Sequence, residues 1–207
     1  MTAPSDPPAA PAAQSSPARV PELDADVRER LTRLDPEALQ VFFDRYFDRV
    51  YGYLRRLVRE EHLAEDLTQD VFLHVHRSLP RYDPARPLSP WVYTIATNKV
   101  RDHWRSRRHQ EERRVQSVDD EEGGVELSAR DGAPSADLES GETAGEVAEA
   151  VAELPEMLRE TFVLRFYDGL SFEEIGRIVD RNETAVRKRY SRALQELRGT
   201  LSHLGDA

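Results

Sequence analysis

The 207-residue chain contains no cysteine. Disulfide bonds, thiolate metal sites and thiol redox chemistry are therefore excluded. No apolar run approaches the roughly 18 residues that a membrane-spanning helix needs. The first twenty residues, MTAPSDPPAAPAAQSSPARV, also lack the charged start and apolar centre of a secretory signal. We therefore expect a cytoplasmic protein without membrane insertion.

Motifs for catalysis are equally scarce. The sequence has no phosphate-binding glycine loop and no nucleophile motif. His74 and His76 are two residues apart, so on a helix they point in different directions. Asp66 and Asp70 share a helical face, but most exposed carboxylates are simply solvated. We expect a protein that is not an enzyme and that uses neither a metal nor another cofactor.

Charge is distributed unevenly along the chain. The formal net charge is -10, yet residues 116–153 alone hold twelve acidic residues and one basic residue. Segments of like charge that are rich in glycine, serine and alanine tend to stay unfolded. The composition predicts a disordered Pro/Ala-rich tail over residues 1–25 and a flexible acidic linker over 111–149. Folded units are expected over residues 26–110 and 150–204.

The N-terminal unit opens with two predicted helices. Asp35-Pro36 is a capping residue followed by proline in the first turn, and the apolar spacing continues to about Arg59. A second helix is predicted from about Glu61 to Leu79. Its outward side carries Asp66, Gln69, Asp70, Leu73 and Arg77. An exposed leucine among carboxylates favours a protein-docking face, and a solvated helix surface is the alternative.

A third helix is predicted over residues 91–109, WVYTIATNKVRDHWRSRRH, beginning at Ser89-Pro90. One face carries a stripe of threonine and arginine, flanked by two aromatic residues: Thr94, Thr97, Arg101, Arg105 and Arg108, beside Tyr93 and Trp104. Such a face suits phosphate contacts and stacking on unpaired bases. The spacing alone leaves open a solvated basic face that pairs with the acidic linker.

The C-terminal unit contains two short helices across a tight turn. Ser171 and Glu174 form a capping box for the first, and the second runs from about Glu183 to Leu201. This spacing is that of a helix-turn-helix. The outer face of the second helix carries Thr184, Lys188, Ser191, Arg192 and Gln195, with Arg187 and Arg189 at its borders. Long cations and short polar side chains are what major-groove reading requires.

Two long motifs carry a family resemblance. AEDLTQDVFLHVHR and WVYTIATNKVRDHWR resemble region 2 of the extracytoplasmic-function sigma factors of the sigma-70 family, and LPEMLRETFVLRFYDGLSFEEIGRIV resembles their region 4. The resemblance implies an all-α fold of two small helical domains, a region 2 bundle and a region 4 helix-turn-helix, joined by the linker. It also implies an alternative sigma factor that directs core RNA polymerase to promoters and melts them.

The resemblance assigns roles to the surfaces. Asp66, Gln69, Asp70 and Leu73 would bind the β′ clamp helices of core polymerase, whose β flap is a further expected contact. The −10 element would be bound by Arg81, Tyr82, Asp83, Tyr93, Thr94, Thr97, Lys99, Arg101, Trp104, Arg105 and Arg108. The −35 element would be bound by Thr184, Arg187, Lys188, Arg189, Ser191 and Arg192. Asn98 and Asp102 match a family pattern and are expected to be structural, on the inward-leaning side of their helix.

The resemblance also implies an anti-sigma factor clamped between the two domains. Arg181 in the turn and Thr184-Ala185 depart from the family's usual residues, which affects the −35 sequence that is read. A stand-alone helix-turn-helix regulator remains an alternative, and it would not need the Asp66 and Asp70 face. A protein that only sequesters another factor is a further alternative, and it would not need the arginine stripe.

Overall fold

The computed structural model describes residues 22–118 and 142–202. These two ranges contain eight α-helices and one short 3-10 turn, Leu79–Arg81, and no strand. The helices are α1 (Ala25–Thr32), α2 (Pro36–Val58), α3 (Glu61–Ser78), α4 (Leu88–Val118), α5 (Glu142–Glu153), α6 (Glu156–Phe166), α7 (Phe172–Val179) and α8 (Glu183–Thr200). Within the described ranges, no helix is both long enough and apolar enough to cross a bilayer.

The long helix α2 begins and ends at local signals in the sequence. Asp35 accepts a hydrogen bond from the Ala38 N–H at 3.0 Å, and Pro36 occupies the first turn. This cap satisfies one of the N–H groups that every helix leaves unpaired at its start. Arg59 ends the helix in the left-handed region, with φ of 66°. The predicted bounds of α2 are confirmed.

Helices α2, α3 and α4 form the N-terminal bundle. Its buried side chains recur at helical spacing, as a bundle core requires. They include Tyr46, Val50, Tyr53, Leu57, Val71, Val75, Val92, Ala96 and Val100. Two tyrosine hydroxyls inside this core reach α4: the Tyr46 hydroxyl bonds to Ser89 Oγ at 2.8 Å, and the Tyr53 hydroxyl bonds to Thr97 Oγ1 at 2.7 Å. These bonds fix the rotation of α4 about its axis.

Helices α5 to α8 form the C-terminal domain, and α7 and α8 are its helix-turn-helix. The predicted capping box is confirmed, because Ser171 Oγ accepts from the Glu174 N–H at 3.2 Å and Glu174 accepts from the Ser171 N–H at 2.8 Å. Asn182 caps α8 by accepting from the Ala185 N–H at 2.8 Å. These two caps place both helix starts at sites set by the local sequence.

Three helical segments differ from the sequence prediction. Helix α1 lies across the predicted boundary between tail and bundle. Helix α4 continues past His109 to Val118, and α5 begins at Glu142, so helices extend into both ends of the predicted linker. Residues 119–141, and the tail up to residue 21, lie outside the described residues. The acidic composition led to the prediction of a linker where α5 lies. Val147, Ala150 and Val151 of α5 nevertheless pack at helical spacing.

The two domains pack against each other, α6 on α2 and α7 on α4. Arg159 of α6 donates to the Leu57 carbonyl near the end of α2 at 2.7 Å. The guanidinium of Arg56 lies 4.1 Å from the centre of the Tyr167 ring. The first contact satisfies a carbonyl that α2 leaves unpaired at its C-terminus, and the second adds a cation–π contact.

Two carboxylates of the C-terminal domain are buried against α4. The Tyr93 hydroxyl donates to Asp168 at 2.6 Å, and Arg101 donates to Glu160 at 2.7 Å. Asp168 is 5% exposed and Glu160 is 1% exposed. Burial raises the pKa of Asp168 to about 7, although the hydrogen bond from Tyr93 and the charges of Arg56 and Arg49 on α2 oppose that rise. We call this set of contacts the closed arrangement.

Replacing Gly176 by alanine should destabilise the helix-turn-helix. A Cβ at this position would lie 2.6 Å from the Arg181 carbonyl oxygen in the turn between α7 and α8. Because backbone must move to relieve the clash, we expect Gly176→Ala to lower the free energy of unfolding by about 1–3 kcal/mol. The measurement is urea unfolding followed by circular dichroism.

Gly199→Ala in α8 is the matched control, since a Cβ there meets nothing within 4 Å. Removing a helical glycine should stabilise by about 0.5–1 kcal/mol. Equal effects of the two substitutions would contradict the tight contact in the turn.

The closed arrangement should weaken as the pH rises toward 7. Asp168 exposed to water has an ordinary pKa of 3.8, and packing raises it to about 7, so closing takes up a proton between these values. The stabilisation is complete below the lower value and is lost as the pH rises through the upper one. Energy transfer between dyes at His62→Cys and Arg198→Cys, measured from pH 5.5 to 8.5, should fall with pH.

Asp168→Asn in the same labelled protein is the control, because the amide does not titrate. Its energy transfer should depend much less on pH. An unchanged pH profile in Asp168→Asn would assign the effect to a group other than Asp168.

Candidate polymerase and promoter interfaces

One face of α3 is exposed along three turns. Asp66, Gln69, Asp70 and Leu73 all lie on it, and Leu73 is 54% exposed. The opposite face, with Ala64, Leu67, Val71 and Val75, is buried in the bundle. Of the four exposed residues, Asp70 forms an ion pair with Lys99 of α4 at 3.1 Å. We call these four residues the docking face, because acidic groups around an exposed leucine suit a basic protein partner.

Phe43 of α2 is 44% exposed, although its neighbour Phe42 is buried. Its ring lies 5.3 Å from that of Phe72 and 4.7 Å from that of Phe47. Phe72 is the neighbour of Leu73 in the chain, so an aromatic cluster borders the docking face. The signal that would have shown this is the crowding of Phe42, Phe43 and Phe47 within two turns, since one helix face cannot bury all three.

The predicted stripe along α4 is divided between buried and exposed residues. Tyr93 and Thr97 are fully buried in the closed arrangement, so the expected exposure of these two side chains is wrong there, and their role as DNA contacts stays a prediction. Residues 93, 97 and 101 follow one another at i, i+4 spacing, and the C-terminal domain packs on Tyr93 and Arg101 through Asp168 and Glu160. The sequence of the stripe does not predict that the C-terminal domain packs on it, because the two carboxylates are about 60–75 residues away in sequence.

Farther along α4 the stripe is open. Arg105 and Arg108 are exposed, and each forms an ion pair, with Asp102 at 3.0 Å and with Glu156 at 3.3 Å. Trp104 is half-buried and packs against the core, so its ring is not fully available for stacking. Thr94 is half-buried and donates to the Pro90 carbonyl at 2.7 Å. The exposed arginines of the stripe are therefore Arg105 and Arg108, beyond the residues that the C-terminal domain covers.

Asn98 and Asp102 do not lie on the inward side of α4. Both are exposed, and the side chain of Asp102 is 67% exposed. The inward side is occupied by Val92, Ala96 and Val100, which are buried. The expectation that these two polar residues face inward is therefore wrong.

The loop between the 3-10 turn and α4 presents some side chains and buries others. Arg81 and Asp83 are exposed, whereas Tyr82 is only 6% exposed and its hydroxyl donates to the Arg86 carbonyl. The Tyr82 ring lies 4.7 Å from that of Trp91. The Tyr82 ring is therefore part of the loop's own core, and its role as a DNA contact stays a prediction. We call residues 82–87 the promoter loop.

The outer face of α8 is as the sequence predicted. Thr184, Lys188, Ser191 and Arg192 are exposed, while Val186, Ala193 and Leu197 are buried. The exposed side chains begin in the first turn of α8, which is the part of a recognition helix that reaches base edges. The helix therefore carries two long cations and two hydroxyls on the surface suited to the major groove.

The two border arginines of α8 behave differently. Arg187 is exposed, bonds to Glu183 at 3.0 Å and lies 4.5 Å from the centre of the Phe172 ring. Arg189 is half-buried, and burial lowers its pKa. Glu160 lies close enough to attract it electrostatically. Arg189 therefore faces the domain interface in the closed arrangement, and its role as a −35 contact stays a prediction.

Metal ligation has no support in the described residues. Within residues 22–118 and 142–202, no three histidine, aspartate or glutamate side chains converge on a point that could hold an ion. His74 and His76 are both exposed on α3.

Comparisons with known proteins agree with this organisation. The family model described as Sigma-70 region 2 matches residues 42–110, and that described as Sigma-70, region 4 matches residues 144–197. The sigma factor CarQ of Myxococcus xanthus is 36% identical over 81% of this chain and 91% of its own length. The extracytoplasmic-function sigma factor BldN of Streptomyces coelicolor is 35% identical over 90% of this chain and 67% of its own length.

Solved structures show the same fold. CnrH, in complex with the cytosolic domain of CnrY, aligns with a TM-score of 0.63 at 22% identity, over 87% of this chain and 97% of that chain. RpoE of Bartonella quintana, in complex with the anti-sigma factor NepR, aligns with a TM-score of 0.58 at 23% identity, over 79% of this chain and 96% of that chain. With two domains in the family's order and relatives above 30% identity over most of their length, the chain belongs to the extracytoplasmic-function sigma factors, which direct RNA polymerase to promoters.

Proposed function

We propose that the chain binds core RNA polymerase through the docking face of α3 and binds promoter DNA through the promoter loop, α4 and α8. The observation that carries the proposal is the exposure of two separate surfaces in one chain. One is an acidic face around Leu73, which suits a protein. The other is a cationic and hydroxyl-bearing face on a helix-turn-helix, which suits DNA. The β′ clamp helices are the proposed protein partner, with the β flap as a further contact.

In the closed arrangement, part of the proposed DNA-binding surface of α4 is not accessible to promoter DNA. Tyr93 and Arg101 are paired with the C-terminal domain in it, and Arg108 is paired with Glu156 of the same domain. The −10 element reaches these groups on α4 only after the C-terminal domain has moved away. Separation also suits simultaneous binding of the −10 and −35 elements, because the two elements are apart on the DNA.

The proposed cellular setting follows from the same role. A protein that binds core polymerase and promoter DNA works in the cytoplasm. Two solved structures with this fold are complexes, CnrH with the cytosolic domain of CnrY and RpoE with the anti-sigma factor NepR. We assign an anti-sigma factor to this chain as well, since a partner that holds the two domains together would keep the face of α4 covered.

Reversing charge on the docking face should prevent holoenzyme assembly. Asp66→Arg or Asp70→Arg places a cation where a basic partner binds, and like charges placed together cost several kcal/mol. We expect each substitution to weaken binding to bacterial core polymerase by at least about tenfold. Size-exclusion chromatography and fluorescence anisotropy of labelled protein measure this.

Glu149→Arg is the charge-matched control, because Glu149 is exposed on α5 of the other domain. Its assembly with core polymerase should equal that of the wild type. Assembly that survives both Asp66→Arg and Asp70→Arg would place the docking face elsewhere.

Truncating cations on α8 should weaken −35 binding. Lys188→Ala and Arg192→Ala each remove one exposed long cation, and each should cost about 1–3 kcal/mol if the contact is to a base edge. A phosphate contact would instead weaken all sequences alike and reduce the salt slope by about 1. Holoenzyme binding to promoters with intact and scrambled −35 elements, at several salt concentrations, separates the two.

Arg198→Ala is the control for the position of the cation along α8, since Arg198 is also exposed but lies in the last turn of the helix. That variant should keep the discrimination between intact and scrambled −35 elements. If Lys188→Ala and Arg192→Ala also keep it, the −35 reader is a different surface.

A further inference from the structure

The promoter loop is held by a segment that precedes the bundle and lies outside the residues matching region 2. We call residues 22–32 the strap; it comprises Glu22 to Asp24 and helix α1. Leu23 and Leu31 are buried, 4% and 0% exposed, and α1 packs on α2 and on the 3-10 turn before the loop. The strap is therefore a fixed part of the N-terminal domain.

Glu22 caps the helix that follows the promoter loop. Its two carboxylate oxygens accept from the N–H groups of Leu88 and Ser89, at 2.9 and 3.1 Å. Carboxylates are favourable at this end of a helix because its N–H groups and dipole present positive charge. The cap comes from a residue 66 positions away.

Helix α4 has no local residue to make this cap. The position before Leu88 is Pro87, which has no hydrogen-bonding side chain. Ser89 lies inside the first turn of the helix, and its hydroxyl bonds to Tyr46 at 2.8 Å inside the bundle. The start of α4, and hence the end of the promoter loop, depends on Glu22.

The middle of the loop is held by a second residue of the strap. Arg28 donates to the Arg86 carbonyl at 2.8 Å, and the buried Tyr82 hydroxyl donates to the same oxygen. Asp83 accepts from the Ala85 N–H at 3.0 Å and shapes the turn within the loop. These bonds fix the loop's backbone on its inner side.

The outer side of the same loop is left free for a ligand. Arg81 lies next to the loop, Asp83 and Arg86 lie within it, and all three are exposed. Because the backbone is tied at Arg86 and at the start of α4, the directions of these side chains follow from the bonds made by Glu22 and Arg28. Resting on the function proposed above, we propose that Glu22 and Arg28 are positioning residues that set the −10 sequence preference by fixing the promoter loop.

The test is base preference of the assembled holoenzyme. Core polymerase with wild-type or variant protein selects promoters from a library randomised across the −10 and −35 elements. Glu22→Ala and Arg28→Ala should relax preference at the −10 positions by about threefold to tenfold, as expected for loss of a cap. Preference at the −35 positions and holoenzyme assembly should stay at the wild-type level.

Two further variants separate positioning from general destabilisation. Glu22→Gln keeps one acceptor oxygen, so it should restore part of the −10 preference. Asp26→Ala removes an exposed carboxylate of α1 that makes no bond to the loop, and it should match the wild type. Hydrogen exchange of free protein should accelerate at the Leu88 and Ser89 amides in Glu22→Ala and stay unchanged in Asp26→Ala.

Failure of this proposal is distinct from failure of the proposed function. Unchanged −10 preference in both Glu22→Ala and Arg28→Ala, with assembly intact, overturns the role of the strap and leaves the sigma function standing. Equal loss of −10 and −35 preference also overturns it, because that pattern is general destabilisation. A wild-type holoenzyme that fails to assemble or selects no promoter overturns both.

Discussion

Two buried carboxylates, Asp168 and Glu160, determine how the two domains of this molecule meet. A charged group taken out of water needs a partner, and breaking a buried pair costs about 3–5 kcal/mol. The partners are Tyr93 and Arg101 on a single face of α4, so the C-terminal domain packs there. One oxygen of each carboxylate accepts no hydrogen bond within the described residues. A buried carboxylate oxygen without a hydrogen bond costs free energy. The contact between the domains is therefore specific in geometry but limited in strength, and such a contact can open.

The same contact connects packing to transcription. The residues of α4 that hold the C-terminal domain are among those that the family resemblance assigns to promoter DNA, so closing and the proposed −10 binding would use the same groups. Glu160 also attracts Arg189 of α8, and it therefore draws an arginine of the helix-turn-helix toward the interface. Burial raises the pKa of Glu160. The closed arrangement thus places two acidic groups among cations that are proposed to contact promoter DNA.

Local structure could be predicted from the sequence wherever its cause was local. Asp35-Pro36, the capping box of Ser171 and the periodic apolar faces of α2, α3 and α8 each act within a few residues, and the structure confirms them. The sequence-based predictions were wrong where residues distant in the chain determine which side chains are buried. Tyr93 and Thr97 look like surface residues until the C-terminal domain and Tyr53 cover them. Helix α1 was missed because its role lies in bonds to residues some 60 positions away. Its own signal, Leu23, Val27 and Leu31 at i, i+4 spacing, is short.

The central claim is that free protein is closed and that promoter binding opens it. The chain has no cysteine, so spin labels can be attached at His62→Cys on α3 and Arg198→Cys on α8 without removing native thiols. The side chain of His62 is 99% exposed, which leaves the bundle undisturbed. Double electron–electron resonance of the doubly labelled free protein should give one narrow distribution of distances between the two labels. In the promoter complex with core polymerase, that distribution should move to a clearly longer distance. The same distance in both states would contradict the account.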